Sequence, residues 1–253
     1  MKCNLVLSGG GTRGYAHIGV AKALLEKGIE INAISGSSSG AIIGAFLCDG
    51  FHPSDIEEIL IKYEPEIGIN YSRFWENILS FDSYTKVLKA NLRSKTFETL
   101  QKPLHVCATN MNTGLQVMLN KGDLHEVLIA TAAIPVLLPA RNINEVPYAD
   151  GGLSNNLPIE PFINGGYKII GVHANPISDF DPSAGMIHRL DRSLHLLMRN
   201  NVSHNMKRCD LFIEPQELKS HHLFESKKTK ELVQIGYDCV MNTVDLSTLN
   251  AEL

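Results

Sequence analysis

Three consecutive serines stand between two glycines at residues 36–40, in the order Gly-Ser-Ser-Ser-Gly. A serine hydroxyl becomes a good nucleophile only when a neighbouring group accepts its proton. The stretch matches the pattern Gly-x-Ser-x-Gly, in which a sharp turn between a strand and a helix exposes the central hydroxyl. Ser38 occupies that central position and is the candidate nucleophile. Gly36 and Gly40 leave room for the turn. The alternative is an ordinary helix N-terminus, where serine and glycine are common.

A glycine-rich loop lies at residues 9–14, Gly-Gly-Gly-Thr-Arg-Gly, and fits the pattern Gly-x-Gly-x-x-Gly. That pattern also occurs in dinucleotide-binding proteins, which need an acidic residue at the end of the second strand, about 20 residues further on. Here that strand ends in Ser35-Gly36, and Glu30 stands at its start, so dinucleotide binding is disfavoured. Free N–H groups before a helix would still stabilise an anion, either a phosphate or the oxyanion of an acyl transfer.

Two side chains are candidates for the proton acceptor. Asp150 follows a short apolar run and precedes Gly151 and Gly152, which allow a tight turn; the same residues would also suit a simple Asp-Gly turn. His173 follows a predicted strand and would complete a Ser-Asp-His order like that of α/β-hydrolases. The other nine histidines lie in no recognisable motif. The residues alone leave both possibilities open.

The elements around these residues predict an α/β fold. Apolar runs at 4–7 and 29–34 read as strands, and helical spacing follows each of them, at 15–27 and 41–47. Strand, loop and helix repeated in this way indicate a parallel sheet covered by helices. Further elements are predicted as strands at 104–108, 115–119, 146–149, 168–172 and 211–213, and as helices at 123–133, 183–207 and 225–241. Asn-Thr-Gly at 112–114 predicts a hairpin. We expect one domain over residues 1–253.

The region 53–99 differs from the rest, because it is mainly helical in pattern and rich in aromatic residues. We expect it to form a cap on, or an insertion into, the α/β domain. Within it, residues 70–79 place apolar side chains on one helical face: Tyr71, Phe74, Trp75, Ile78 and Leu79. Such a face suits a lid over the site, a membrane-binding surface or plain core packing. The sequence leaves the role of residues 70–92 open.

Composition excludes several classes of protein. The 253 residues carry a net charge of −4 and no long basic run, which argues against nucleic-acid binding. The five cysteines are scattered without metal-ligand spacing, which favours reduced thiols, and neither a metal nor another cofactor is expected. The N-terminal apolar run is shorter than a signal peptide needs, and no stretch of about 18 apolar residues predicts a transmembrane helix. We expect a cytoplasmic protein, with signal-independent secretion left open.

Taken together, the blocks at 9–14, 36–40 and 150–152 resemble the patatin-like phospholipase family in order and spacing. The resemblance extends to the first helix, RGYAHIGVAKALLEKGI, to the segment ATAAIPVLLPA and to DGGLSNNLPI. It covers roughly residues 4 to 175. The resemblance implies a three-layer α/β/α fold with a mostly parallel central sheet.

The resemblance also implies roles for particular residues. It makes Ser38 the nucleophile and Asp150 the general base of a dyad without a catalytic histidine. It places the oxyanion hole in the loop 9–14, formed by Gly9, Gly10, Gly11, Thr12, Arg13 and Gly14, with the Ser39 N–H as a further donor. Five residues depart from the family's usual pattern and bear on substrate fit: Thr12, Thr131, Ala132, Ala133 and Val136.

A lipid acyl hydrolase is the activity that the resemblance implies, of the phospholipase A or lysophospholipase type. Its partners would be a lipid or lysolipid substrate and, transiently, a membrane surface. An acyltransferase that uses the same acyl-serine, a Ser-Asp-His esterase and a non-catalytic lipid-binding module are the alternatives. The sequence does not choose between lipid headgroups or acyl-chain lengths.

Overall fold

The computed structural model describes residues 1–67, 81–135, 138–179, 182, 185–223 and 227–250. The predicted apolar face at 70–79 lies outside the described residues. Two helices of the predicted cap are described: α3, Pro53–Ile67, and α4, Phe81–Asn91. That these residues form a cap stays a prediction.

A central sheet organises the described chain. Its strands are β1 Lys2–Leu7, β2 Glu30–Ser37, β3 Leu104–Asn110, β4 Gln116–Leu119, β5 Arg141–Ile143, β6 Val146–Asp150, β7 Lys168–Val172 and β8 Leu211–Ile213. The spatial order is β5-β6-β3-β2-β1-β7-β8, and β4 pairs with β3. Strands β3, β2, β1, β7 and β8 run parallel in that order. The predicted mostly parallel sheet is therefore confirmed.

Helices flank this sheet, as the sequence predicts. The remaining ones are α1 Ala16–Glu26, α2 Ser39–Cys48, α5 Leu124–Thr131, α6 Met186–Met206 and α7 Thr229–Thr243. Their bounds differ from the predicted ones by one to four residues. The start of the first helix is modified, because a 3₁₀ turn at Gly11–Tyr15 precedes α1. Among the described residues, no helix is long and apolar enough to cross a membrane.

Both faces of the sheet are buried, because side chains of a strand alternate between them. In β1, Leu5 and Leu7 join the larger core under α1, α2, α5 and α7. Val6 points to the other face, where it packs in a smaller core with Phe162 and with Val202 of α6. Strands buried on both faces read as continuous apolar runs, which is why β1 and β7 were predictable.

The candidate functional residues lie together at the end of the sheet where β1 and β2 terminate. The carboxyl ends of β1 and β2 lie side by side, and the glycine-rich loop and Ser38 follow them directly. Strand β6 is antiparallel to β3 and places Asp150 opposite Ala108. The antiparallel pairing brings Asp150 back to the level of Ser37, which pairs in register with Cys107. The short strand β5, which completes this side of the sheet, has no predicted counterpart.

The crossing of α1 and α7 depends on two glycines. A Cβ at Gly19 would lie 1.8 Å from the carbonyl oxygen of Val233, and a Cβ at Gly236 would lie 2.0 Å from that of Ala16. Real Cβ atoms do not approach backbone oxygens so closely. The two helices therefore pack backbone to backbone at this point.

We expect Gly19→Ala to destabilise the protein by about 3 kcal/mol, because α7 must move away from α1. In a chain of this size that change lowers Tm by about 6–12 °C, measurable by thermal denaturation. Gly166→Ala is the matched control, since its Cβ would meet no described heavy atom within 4 Å. Equal Tm values for Gly19→Ala and the control would contradict the close helix crossing.

Candidate active site

Ser38 forms the turn between β2 and α2 and adopts a backbone conformation that is rare for serine. Its φ is 51° and its ψ is −125°, so this non-glycine residue lies in the left-handed half of conformational space. Such a conformation costs on the order of 1–3 kcal/mol and persists only where the surroundings impose it. The turn leaves Ser38 at the start of α2, whose N-terminal dipole favours negative charge nearby.

Thr131 holds the Ser38 backbone in this conformation. Its Oγ1 accepts a hydrogen bond from Ser38 N at 2.9 Å and donates one to the carbonyl oxygen of Cys107 at 2.5 Å. Thr131 is the last residue of α5 and is fully buried. It therefore ties the turn at Ser38 to the neighbouring strand β3.

The turn at Ser38 requires glycine at positions 36 and 40, because a side chain at either would meet the backbone. A Cβ at Gly36 would lie 2.8 Å from Ala41 N, and a Cβ at Gly40 would lie 2.3 Å from the carbonyl oxygen of Leu7. Both contacts are with backbone atoms, which have no room to move aside. Any larger residue at either position would force α2 away from the sheet.

Asp150 is the last residue of β6 and is 2% exposed. Its Oδ1 accepts a hydrogen bond from Gly152 N at 2.7 Å, and its own N–H donates to the carbonyl oxygen of Ala133 at 2.9 Å. Thr109 Oγ1 donates to the Asp150 carbonyl oxygen at 2.7 Å. These contacts fix the backbone on both sides of the carboxylate.

The second carboxylate oxygen, Oδ2, is buried and has no hydrogen-bond partner of good geometry among the described residues. Burial raises the pKa of Asp150 to about 6, while the neighbouring Ser38 hydroxyl and the Gly152 N–H act in the opposite direction. The Ser38 hydroxyl is close enough to the carboxylate to lower its pKa, although Oδ2 itself has no hydrogen-bond partner among the described residues. Asp150 therefore has an unused acceptor oxygen among the described residues, and its pairing with Ser38 as a dyad stays a prediction.

The glycine-rich loop lies directly against Ser38. A Cβ at Gly9 would be 2.9 Å from Ser38 Cβ. Within the described part of the chain, no hydrogen bond uses the N–H groups of Gly10 and Gly11. The Ser39 N–H, at the start of α2, is likewise not used there. These N–H groups are available to a negatively charged oxygen bound beside Ser38.

Other members of the predicted oxyanion loop have internal partners. Gly9 N donates to Asn156 Oδ1 at 2.9 Å, and Thr12 N donates to the carbonyl oxygen of Leu223 at 2.8 Å. The Arg13 N–H donates to the carbonyl oxygen of Gly10 at 3.1 Å. Gly14 has a packing role, because a Cβ there would overlap Ser39 Oγ. Unlike Gly9, Thr12 and Arg13, Gly10 and Gly11 have N–H groups without an internal acceptor among the described residues, and the oxyanion role of the loop stays a prediction.

The Arg13 guanidinium is 3% exposed and anchors the loop to the C-terminal part of the chain. Its Nε donates to the carbonyl oxygen of His221 at 2.8 Å, and its Nη1 lies 3.1 Å from His195 Nε2. Burial lowers the pKa of His195 to about 3, and the charge of Arg13 acts in the same direction. His195 therefore accepts from Arg13 as a neutral imidazole.

His173, the histidine of the alternative triad, is fully buried after β7. Its Nδ1 lies 2.8 Å from Glu214 Oε1, and its ring stacks on Phe212. Burial lowers the pKa of His173, while the hydrogen bond to Glu214 acts in the opposite direction. Among the described residues, no hydrogen bond joins His173 to Ser38 or Asp150. The His173 ring therefore packs on Phe212 of β8 and hydrogen-bonds Glu214, the residue that follows this strand.

Two site residues were not singled out from the sequence. Asn156 and Asn175 both contact Gly9 through their side-chain amides. Asn156 lies in the block DGGLSNNLPI, which carries part of the family resemblance. The resemblance implied no role for this residue. Thr131 appeared only as a departure from the usual residue. Their contacts span 93 to 166 residues along the chain, beyond the reach of any local pattern.

Thr131→Val keeps the shape of the side chain but removes the hydroxyl that holds Ser38 N–H. We expect a loss of stability of about 1–3 kcal/mol and a fall of at least about tenfold in the rate at which a fluorophosphonate labels Ser38. Thr229→Val is the matched control, because Thr229 is equally buried and hydrogen-bonds Glu64 away from the site. Parallel losses of labelling in both variants would refute a specific role for Thr131.

Known proteins resemble this chain over most of its length. The family model described as Patatin-like phospholipase matches residues 5–163. An NTE family protein of Mycobacterium tuberculosis is 30% identical over 209 residues, which cover 76% of this chain and 56% of that protein. Lysophospholipase NTE1 of Kluyveromyces lactis is 28% identical over 185 residues, covering 70% of this chain and 13% of that protein. The chain thus spans about half the length of its mycobacterial relative.

Among solved structures, VipD from Legionella pneumophila superposes with a TM-score of 0.57 at 18% sequence identity, covering 98% of this chain and 67% of that one. At that identity the likeness concerns the fold. The match of the family model over most of the chain, with Ser38, Asp150 and the glycine-rich loop at one edge of the sheet, shows that the chain belongs to the patatin-like phospholipase family.

Proposed function

We propose that this protein is a serine hydrolase that cleaves carboxylic esters of lipids through a dyad of Ser38 and Asp150. The observation that carries the proposal is the placement of the two groups: a serine held at a strained turn lies near a buried carboxylate whose pKa is raised and whose Oδ2 has no hydrogen-bond partner among the described residues. Perturbed titratable groups next to a nucleophile are typical of active sites. Membership of the family and the relative named a lysophospholipase support a lipid substrate.

In the first half of the reaction, Ser38 Oγ attacks the ester carbonyl carbon while its proton passes to Asp150 Oδ2. The tetrahedral intermediate collapses as the ester C–O bond breaks. Asp150 returns the proton to the leaving alcohol, and the acyl group stays on Ser38. An unperturbed aspartate, with a pKa of about 3.9, is a weak base at neutral pH. The raised pKa of Asp150 brings it closer to the range in which proton transfer is efficient.

The negative charge that develops on the carbonyl oxygen needs donors in fixed positions. We assign the N–H groups of Gly10 and Gly11 to this role, with that of Ser39 as a third donor. Backbone donors that are already oriented need no rearrangement during the reaction, and each contributes about 10²–10³ in kcat. The N-terminal dipole of α2 adds to the stabilisation.

In the second half, Asp150 accepts a proton from a water molecule as the water attacks the acyl-Ser38 carbonyl. The proton then returns to Ser38 Oγ as the fatty acid leaves. An alcohol acceptor in place of that water would make the protein an acyltransferase with the same residues. Product analysis with and without added glycerol or lysophospholipid distinguishes these two outcomes.

The dyad is tested with a fluorophosphonate probe and a p-nitrophenyl acyl ester. We expect Ser38→Ala to abolish labelling, and Ser38→Ala and Asp150→Asn to lower turnover by about 10³-fold or more. His173→Gln should keep turnover within about threefold of wild type once its fold is verified by circular dichroism. Loss of turnover in a folded His173→Gln would instead support the Ser-Asp-His alternative. A folded wild type that neither labels nor turns over would refute the hydrolase proposal for these substrates.

The buried carboxylate predicts a pH dependence. Asp150 must be ionised to accept the Ser38 proton, so kcat/KM should rise with pH through an apparent pKa of about 6 and level off above it. Measurement of kcat/KM for the p-nitrophenyl ester between pH 4.5 and 8 checks this. An acidic limb near pH 4, the ordinary value for a carboxyl group, would show that Asp150 is not the group whose ionisation controls the reaction.

A further inference from the structure

The Gly9 peptide groups are held on both sides by side chains from distant parts of the chain. Gly9 N donates to Asn156 Oδ1 at 2.9 Å. Three donors converge on the Gly9 carbonyl oxygen: Asn175 Nδ2 at 2.6 Å, Ser8 Oγ at 3.0 Å and Asn156 Nδ2 at 3.4 Å. A single carbonyl oxygen with three donors is tightly fixed in direction.

The direction of the Gly9 carbonyl determines that of the next N–H. Gly9 C=O and Gly10 N–H belong to one planar trans peptide group and point in opposite directions. Donors that hold the Gly9 oxygen on one side therefore aim the Gly10 N–H to the other. Gly10 is one of the residues whose N–H has no internal acceptor within the described residues.

Asn156 also contacts the turn that carries the general base. A Cβ on Gly152 would lie 2.9 Å from Asn156 Oδ1 and 3.0 Å from Asp150 Oδ1. Asn156 Oδ1 lies 2.7 Å from the corresponding position on Gly9. The Asn156 amide is fully buried between the glycine-rich loop and the Asp150 turn. No larger residue than glycine fits at either neighbouring position.

Helix α6 supports this arrangement from behind. Asn201 Oδ1 accepts from Asn156 N at 2.9 Å, and Asn201 Nδ2 donates to the carbonyl oxygen of Gly152 at 2.9 Å. The backbone of Asn156 and the turn after Asp150 are thus fixed to the same side chain. A continuous set of hydrogen bonds runs from α6 through Asn156 to Gly9.

We propose that Asn156 is a positioning residue that sets the distance and orientation of the Gly10 N–H relative to Ser38 and Asp150. The inference rests on the proposed function, because it takes Gly10 as an oxyanion donor. Asn156 touches neither the substrate carbonyl nor the transferred proton. It acts through the Gly9 peptide group on one side and the Asp150 turn on the other.

The first test compares Asn156→Ala with Asn205→Ala. Asn205 is a matched control, since it is a buried asparagine on α6 whose Nδ2 donates to Leu157 O, Asn155 Oδ1 and Glu160 Oε1. Among the described residues, it has no hydrogen bond to the glycine-rich loop. We expect Asn156→Ala to lower kcat at least about tenfold with KM within about twofold. The loss should stay below the 10²–10³ of a missing oxyanion donor, because Asn175 and Ser8 remain. Asn205→Ala should lower Tm similarly and keep kcat within about threefold.

Hydrogen exchange provides a readout that does not depend on turnover. Mass spectrometry of a peptide covering residues 8–15 should show faster exchange in Asn156→Ala than in wild type, and unchanged exchange in Asn205→Ala. Unchanged exchange of this loop in folded Asn156→Ala would overturn the proposal. Should the wild type prove inactive on esters, the proposed function fails, whereas the exchange comparison still decides whether Asn156 holds the loop.

Asn156→Asp is the conservative second variant, because it keeps the shape and the acceptor for Gly9 N–H. It loses the donor to Gly9 O and places a second carboxyl group beside Asp150. Like charges at this distance disfavour ionisation, so the acidic limb of kcat/KM should move to higher pH by about one unit. An unmoved limb together with a wild-type kcat would contradict the proposed position of Asn156 between the two loops.

Discussion

The left-handed backbone at Ser38 is the constraint on which the rest of the site depends. A serine at φ 51° is strained by about 1–3 kcal/mol, and the surrounding structure must compensate. Thr131 satisfies the Ser38 N–H, while Gly36 and Gly40 let strand and helix come close enough to make the turn. The consequence is a hydroxyl at the N-terminus of α2, close enough to Asp150 to lower the pKa of its carboxyl group. Because β1 and β2 are neighbours in the sheet, the glycine-rich loop after β1 lies directly against Ser38.

Burial of the Asp150 carboxyl group also lowers the free energy of unfolding. Its pKa is about 6 in the folded protein and near ~3.9 in an unfolded chain. Between these values the folded state binds a proton that the unfolded state does not, so stability falls as pH rises from about 4 to 6. Above pH 6 the cost is complete, at about 3 kcal/mol. Ionised Asp150 therefore lowers the stability of the fold, which is consistent with the catalytic role that we propose for it.

The sequence predicted what local patterns determine. Strands β7 and β8 lie where their apolar runs indicated, and the turn at Ser38 followed from its glycines and its flanking elements. The antiparallel entry of β6 and the short strand β5 were not predicted, because pairing direction depends on residues far away in the chain. For the same reason the contact of Asn156 with Gly9, which spans 147 residues, could not be derived from spacing.

The buried histidines bear on the proposal that a carboxylate acts as the base. Burial lowers the pKa of His17 to about 4 and that of His195 to about 3, and it also lowers that of His173. Each uses its ring in a structural contact, with the Ser8 carbonyl oxygen, Arg13 and Glu214 respectively. The same loss of hydration that weakens a histidine as a base strengthens an aspartate, because it disfavours the charged form of each. With a pKa of about 6, Asp150 is a stronger base than either His17 or His195. The direction of these shifts supports the proposal that Asp150, rather than a histidine, accepts the Ser38 proton.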